Sequence, residues 1–305
     1  MRRYSAGLAG MAALALLVAG CGSDERDVGG SSDEPAPEGG VCDSTDASGD
    51  LLAQICEDGT LTVSTDPAYP PQSVLNEQTG ELEGFDIDVA TEIANRLGVN
   101  VAWQEPAWEV ITAGSWNGRW DMSVGSMTPT NDRQQVLDFT QPYYYTPAVV
   151  VVHEDNTSVT DVSTDLDGAS IGVCAACTYE QFLNKDLNIQ GFQFDFVIDD
   201  ADVHGYDTDT TALQDLSLGD GVRLDAVITS LTTAQGFIDN GQPVKIVGEP
   251  VFYEPLAVAM DKSSELDDAT LVEAVDQIVG DMHEDGTLTE LSEKWYDGTD
   301  LTVQQ

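Results

Sequence analysis

The residues best suited to binding chemistry cluster in Gly125-Ser126-Met127-Thr128-Pro129-Thr130-Asn131-Asp132-Arg133. Hydroxyls beside a guanidinium fork suit a carboxylate, because each hydroxyl donates once and arginine donates in pairs. Thr130 is a favourable N-cap, which predicts a helix starting just after it and places Arg133 in the first turn. A cation there opposes the helix dipole, so a bound anion is the compensating partner. The alternative is an exposed Arg133 paired with Asp132 or Asp138. Tyr69, in Asp66-Pro67-Ala68-Tyr69-Pro70-Pro71, and Trp108 both fall on predicted turns. They read either as satellite core packing or as two faces that sandwich a small ligand.

Elements that could position these turns surround them. Thr60-Leu61-Thr62-Val63-Ser64-Thr65 is β-rich and alternating, which predicts a strand. Residues 76–83 read as a hairpin. Gly84-Phe85-Asp86-Ile87 opens a helix that Asp86 can cap; Ile87, Ala90, Ala94 and Leu97 form its buried stripe, and Gly98 stops it. Strands at 99–103 and 121–124 flank a short helix at 109–113. Strand alternating with helix predicts a parallel, doubly wound sheet, whose ligands bind beyond the carboxyl ends of the strands. The turns 66–69, 106–108 and 125–133 lie at such ends.

A second αβ pattern follows the apolar run Val149-Val150-Val151-Val152. Strands are expected at 170–173, 194–198, 224–228 and 244–247, with helices at 178–183, 210–218 and 230–238. The stretch 256–260 returns the chain to the first unit, and helices fill the remainder. Two αβ units joined twice predict two lobes, a cleft and a hinge. Asp199, Asp200, Asp202, Asp207 and Asp209 read as a solvated loop; calcium is the alternative, but the spacing is not that of an EF-hand. The three histidines are scattered, giving zinc no support. There is no nucleophile elbow or phosphate loop, so no catalytic residue, metal or cofactor is expected.

The chain has 305 residues, with 11 basic and 55 acidic side chains. Such a balance excludes nucleic acid and anionic lipid surfaces as electrostatic partners. It fits a solvated, aggregation-resistant surface or adaptation to high salt. Residues 1–20 read as a signal segment: Met1-Arg2-Arg3, then an apolar run too short to span a bilayer. Val18-Ala19-Gly20-Cys21 resembles a lipobox, with Cys21 as the lipidated residue. Residues 21–50 read as an acidic tether. Four cysteines remain in an oxidising context; the simplest pairing is Cys42 with Cys56 and Cys174 with Cys177, among three that sequence allows. Cys174 and Cys177 read as a stiffening disulfide, with a redox pair as the alternative.

The stretches 65–71, 84–97, Ser126-Met127-Thr128-Pro129-Thr130 with Arg133, and Phe139-Thr140-Gln141-Pro142-Tyr143 resemble family-3 extracellular solute-binding proteins, the polar-amino-acid binders of ABC importers. Leu166-Asp167-Gly168, Arg223-Leu224-Asp225-Ala226-Val227 and Asp285-Gly286-Thr287-Leu288 with Lys294-Trp295-Tyr296 continue the likeness, which spans about 59–297. The resemblance implies an α/β, bilobed periplasmic-binding-protein fold of type II with a two-segment hinge. Lobe 1 would hold 51–149 and 252–305, and lobe 2 would hold 150–251. It also implies a monomer, anchored outside the cell membrane through Cys21, that delivers an amino acid or other small carboxylate to a permease. Its ligand contacts would be Arg133 on the α-carboxylate, Ser126, Thr128 and Thr178 as hydroxyl or backbone partners, and Tyr69, Trp108 and Asp66 nearby. Two positions depart from the pattern. Ser230 stands where an acid usually meets the α-ammonium, and Cys177 stands where glycine usually precedes Thr178. The alternatives are an exported enzyme on the same fold, resembling cyclohexadienyl dehydratase, or a ligand-sensing module.

Overall fold

The computed structural model describes residues 39–304. The signal segment, Cys21 and the first part of the tether lie outside the described residues. One eight-stranded sheet runs through the molecule. Its strands are β1 (Thr60–Ser64), β5 (Asn100–Gln104), β6 (Met122–Met127), β7 (Leu137–His153), β8 (Ala169–Cys174), β9 (Ala201–Tyr206), β10 (Ala226–Ser230) and β11 (Val244–Asp261). A small sheet holds β2 (Ala68–Tyr69), β3 (Ser73–Leu75) and β4 (Leu82–Glu83). The large sheet is ordered β5-β1-β6-β11-β7-β10-β8-β9. β1 is parallel to β5 and β6, and β8 is parallel to β9 and β10. β11 and β7 form a long antiparallel pair that connects the two parallel sets.

Each set is covered on both faces, as a doubly wound sheet requires. In the first, α1 (Leu51–Asp58), α2 (Phe85–Leu97), α8 (Ala269–Glu284) and α9 (Thr287–Trp295) bury Ile55, Ile93, Val275 and Leu288 on one face. α3 (Trp108–Thr112) packs Ile111 with Trp116 and Trp120 on the other. In the second, α4 (Val162–Asp165) and α5 (Thr178–Leu183) cover one face, and α6 (Asp209–Leu216) and α7 (Leu231–Asp239) cover the other. The fold is therefore bilobed. Along the connecting strands Tyr144 and Leu256 enter the first core, while Ala148 and Phe252 enter the second. Thr146 faces Glu254 between them, and the β11 register shifts on both sides of this point.

The Cys42–Cys56 disulfide fastens the end of the tether to α1, and Val41 and Ala47 pack against the first core. The second disulfide joins Cys174 and Cys177. The α2 stripe is buried as its spacing predicts, and Gly98 closes the helix at φ 86°.

Several local expectations are overturned. Asp86 does not cap α2: Gly84 holds that position, and the Asp86 side chain points into the core. Residues 133–135 form only a short 3-10 turn after Asp132, not a helix capped by Thr130, because the chain enters β7 at once. Residues 194–198 are not a strand. Phe192, Phe194 and Phe196 pack as an aromatic cover on the second core, and the edge strand is the polar β9, with Ala201 and Val203 inward. Residues 244–247 and 256–260 belong to one strand, β11.

Candidate functional site

The loops at the carboxyl ends of the parallel strands converge between the lobes. They surround a cavity, partly open to solvent, lined by Asp66, Tyr69, Trp108, Ser126, Thr128 and Arg133 from the first lobe. Cys174, Cys177, Thr178, Tyr179 and Asp209 line it from the second, and Glu254 from β11. A concave site with a few convergent polar groups suits a small metabolite. Seven of the eight residues singled out from sequence are therefore brought together. The eighth, Ser230, is not among the lining residues. Its hydroxyl accepts from Thr233 N at 3.2 Å and caps α7, which occupies the group expected to face ligand.

Arg133 is only 5% exposed. It therefore does not form the surface pair with Asp132 or Asp138. Its Nη1 donates to Thr128 O at 3.0 Å, its Nη2 donates to Ala176 O across the cleft at 2.8 Å, and its guanidinium lies 5.3 Å from the Trp108 ring centre. Burial pushes its pKa down to about 10, and the Glu254 and Tyr179 charges oppose the shift. Trp108 thus serves as a platform for Arg133, a stacking that delocalised guanidinium favours. Its indole Nε1–H is buried without a partner among the described residues. Tyr69 and Tyr179 meet hydroxyl to hydroxyl at 3.3 Å.

Sequence reasoning missed Glu254, the residue closest in character to a ligand group. Its carboxylate accepts from Thr128 Oγ1 at 2.7 Å and from Thr178 Oγ1 at 2.6 Å, beside Arg133. Burial pushes its pKa up, while the Thr178 and Thr128 hydroxyls hold the shift back. It is the single charged residue in 251–260, a signal that was present in the sequence. Asp209 was also misread. It is 5% exposed at the start of α6 and not part of a solvated loop. Burial raises its pKa to about 7, the Thr229 hydroxyl opposes this, and Asp66 and Glu254 repel its charge. Asp66 is raised by burial and held back by the Ala68 N–H, which its carboxylate accepts at 2.9 Å.

Ser126 turns away from this chemistry. At φ 54° it directs its hydroxyl to Asp86 at 2.7 Å and Tyr144 at 2.7 Å. Tyr143 donates to the same carboxylate at 2.7 Å and accepts from Ser126 N at 3.0 Å. Asp86 is fully buried, and burial carries its pKa to about 7 against those hydrogen bonds. The network fixes the loop that carries Thr128 and Arg133. Cys174 Sγ, Cys177 Sγ and an Asp209 oxygen lie within 4.8 Å of one another. The sulfurs are joined as a disulfide and offer no thiolate to a metal.

Residues 61–298 match the bacterial extracellular solute-binding proteins, family 3. The chain belongs to this family. The L-cystine-binding protein TcyJ of Escherichia coli K12 is 31% identical over 253 residues, covering 83% of this chain and 88% of that protein. An ancestral arginine-binding protein bound to glutamine is 33% identical, with a TM-score of 0.66 over 78% of this chain and 98% of that one. An ancestral amino acid-binding protein described as a precursor of cyclohexadienyl dehydratase is 29% identical, with a TM-score of 0.69 over 80% and 99%. The family-3 fold and an extracytoplasmic solute-binding role follow for this chain.

Proposed function

We propose that this family-3 protein is the capture component of an ABC importer, closing its lobes on an amino acid or a related small carboxylate. The observation that carries the ligand class is the seat made by Arg133, Thr128 and Thr178. It already accommodates a carboxylate, that of Glu254, with two charge-assisted hydroxyl bonds. A ligand carboxylate takes this seat as Glu254 turns aside. Tyr69 and Trp108 supply apolar faces, and Asp66 lies where a cationic group of the ligand would reach it. Ser126 acts indirectly, through Asp86, and Ser230 through the α7 cap.

Residues 51–149 with 252–305, and residues 150–251, move as two bodies about the β7–β11 pair. The role is binding and not catalysis, and the similar names among relatives support this reading. The protein acts as a monomer held to the outer face of the cell membrane through a lipid on Cys21. Palmitate labelling that survives Cys21→Ala would remove the anchor from this account. A thermal-shift screen of amino acids and small carboxylates tests the main reading, because a ligand that binds only the folded state raises the midpoint. No shift with any carboxylate would overturn it.

A further inference from the structure

The charges around the cavity do not balance. Arg133 is the one cation among the described lining residues, and Glu254 already faces it through the shared hydroxyls. Asp66, Asp207 and Asp209 remain. None of them has an ion-pair partner among the described residues. Asp209 is 95% buried, given its 5% exposure, and its Oδ1 has no hydrogen-bond partner there. A buried carboxylate oxygen without a donor is costly, and the Thr229 hydroxyl only partly offsets the burial of this group. Asp66 and Asp209 line the same cavity, where each carboxylate disfavours the charge of the other. The hydroxyls of Tyr69 and Tyr179 and the Cys174–Cys177 disulfide complete the wall beside them. The carboxylates, and the hydroxyl oxygens beside them, favour a positive charge placed among them.

We propose that the cleft selects a ligand of net positive charge, with its cationic group seated at Asp66 and Asp209. The class is a small amino acid with an amine or guanidine side chain. A neutral amino acid or cystine would leave the two carboxylates uncompensated. This deepens the solute-capture reading and rests on it, because the α-carboxylate of such a ligand takes the Arg133 seat. The missing acid at Ser230 is then no obstacle. Glu254, once turned from Thr128 and Thr178, is free to take the α-ammonium.

Matched ligands separate the two claims. Calorimetry at pH 7 would compare lysine with norleucine, which lacks the side-chain amine, and with cadaverine, which lacks the carboxylate. Arginine and agmatine form a second pair, with cystine and glutamine as neutral competitors. Lysine or arginine is expected to bind at least about 30-fold more tightly than norleucine, because a buried charge pair is lost. Asp209→Asn is expected to erase most of that preference, and Asp66→Asn, should the first variant fail to fold, to reduce it. Norleucine, glutamine or cystine binding as tightly as the basic amino acids overturns the charge selection and leaves solute capture standing. Cadaverine or agmatine binding while lysine and arginine do not overturns the carboxylate seat and leaves the cation site standing. No binding by any of these ligands overturns both.

Discussion

Arg133 on one lobe donates from Nη2 to the carbonyl of Ala176 on the other at 2.8 Å. The same guanidinium lies against Trp108 and bonds its own loop at Thr128. It therefore orders the first lobe and grips the second with one buried charge.

Arg133→Ala removes both functions. Ligand affinity is expected to fall by about 2 kcal/mol, or roughly 30-fold, because Glu254 and a ligand carboxylate lose their buried cation. Calorimetry with the best ligand from the thermal-shift screen checks this. Arg133→Lys is expected to recover only part of the loss, since an ammonium cannot make the fork contacts.

The two disulfides should have different consequences. Cys42 and Cys56 are 14 residues apart and lie away from the cavity. Replacing both by serine is expected to cost about 3 kcal/mol of stability, from loop closure, with affinity nearly unchanged. Cys174 and Cys177 are 3 residues apart and hold the turn at Ala176, whose φ is 59°. Replacing that pair should cost less stability but weaken ligand binding several-fold, since the Ala176 carbonyl would no longer be fixed for Arg133. Denaturant melts beside calorimetry separate the two outcomes, and equal affinity loss in both variants would contradict them.

Folding stability should depend on pH through Asp86 and Asp209. Both have pKa values raised from 3.8 to about 7. Each binds more proton in the folded state than in the unfolded state between those values, so its contribution is full below about pH 4. That contribution is lost as pH rises through about 7, at no more than roughly 1.4 kcal/mol per pH unit per group. Asp165 and Asp285, lowered to about 2, act in the opposite sense and lose their contribution as pH falls below 3.8. Melts across pH 4 to 8 are expected to show a declining midpoint, and Asp86→Asn should flatten that decline.

Ser126→Ala would take one donor from the buried Asp86 carboxylate and a partner from Tyr144. A loss of about 1–2 kcal/mol is expected in denaturant unfolding. Affinity should fall less than in Arg133→Ala, since Ser126 acts on the cavity only through its loop.

The sequence was most legible where one local rule decided the outcome. The α2 stripe and its glycine stop follow from helical period and φ alone. The site turns followed from strand ends, and they do meet at the cavity. What failed depended on contacts distant in sequence. Asp86 reads as a cap, yet Tyr143 and Ser126, far along the chain, supply the donors that permit its burial. Asp209 sits in an acidic stretch, and only the approach of the first lobe makes it part of a cleft. The phenylalanines at 192, 194 and 196 alternate as a strand would, but they pack on one another as a cover over the second core, and the sheet ends at β9 instead.

The second pair of cores draws on one uninterrupted stretch of chain, from Ala148 to Phe252. Its entry and exit are neighbours, since Ala148 and Phe252 are paired in β7 and β11. Two crossovers in the coding sequence would therefore transplant this lobe whole, and with it the Asp209 side of the cavity. The Arg133 side would stay with the recipient. Each half of the cavity can thus be exchanged in evolution without rebuilding the other.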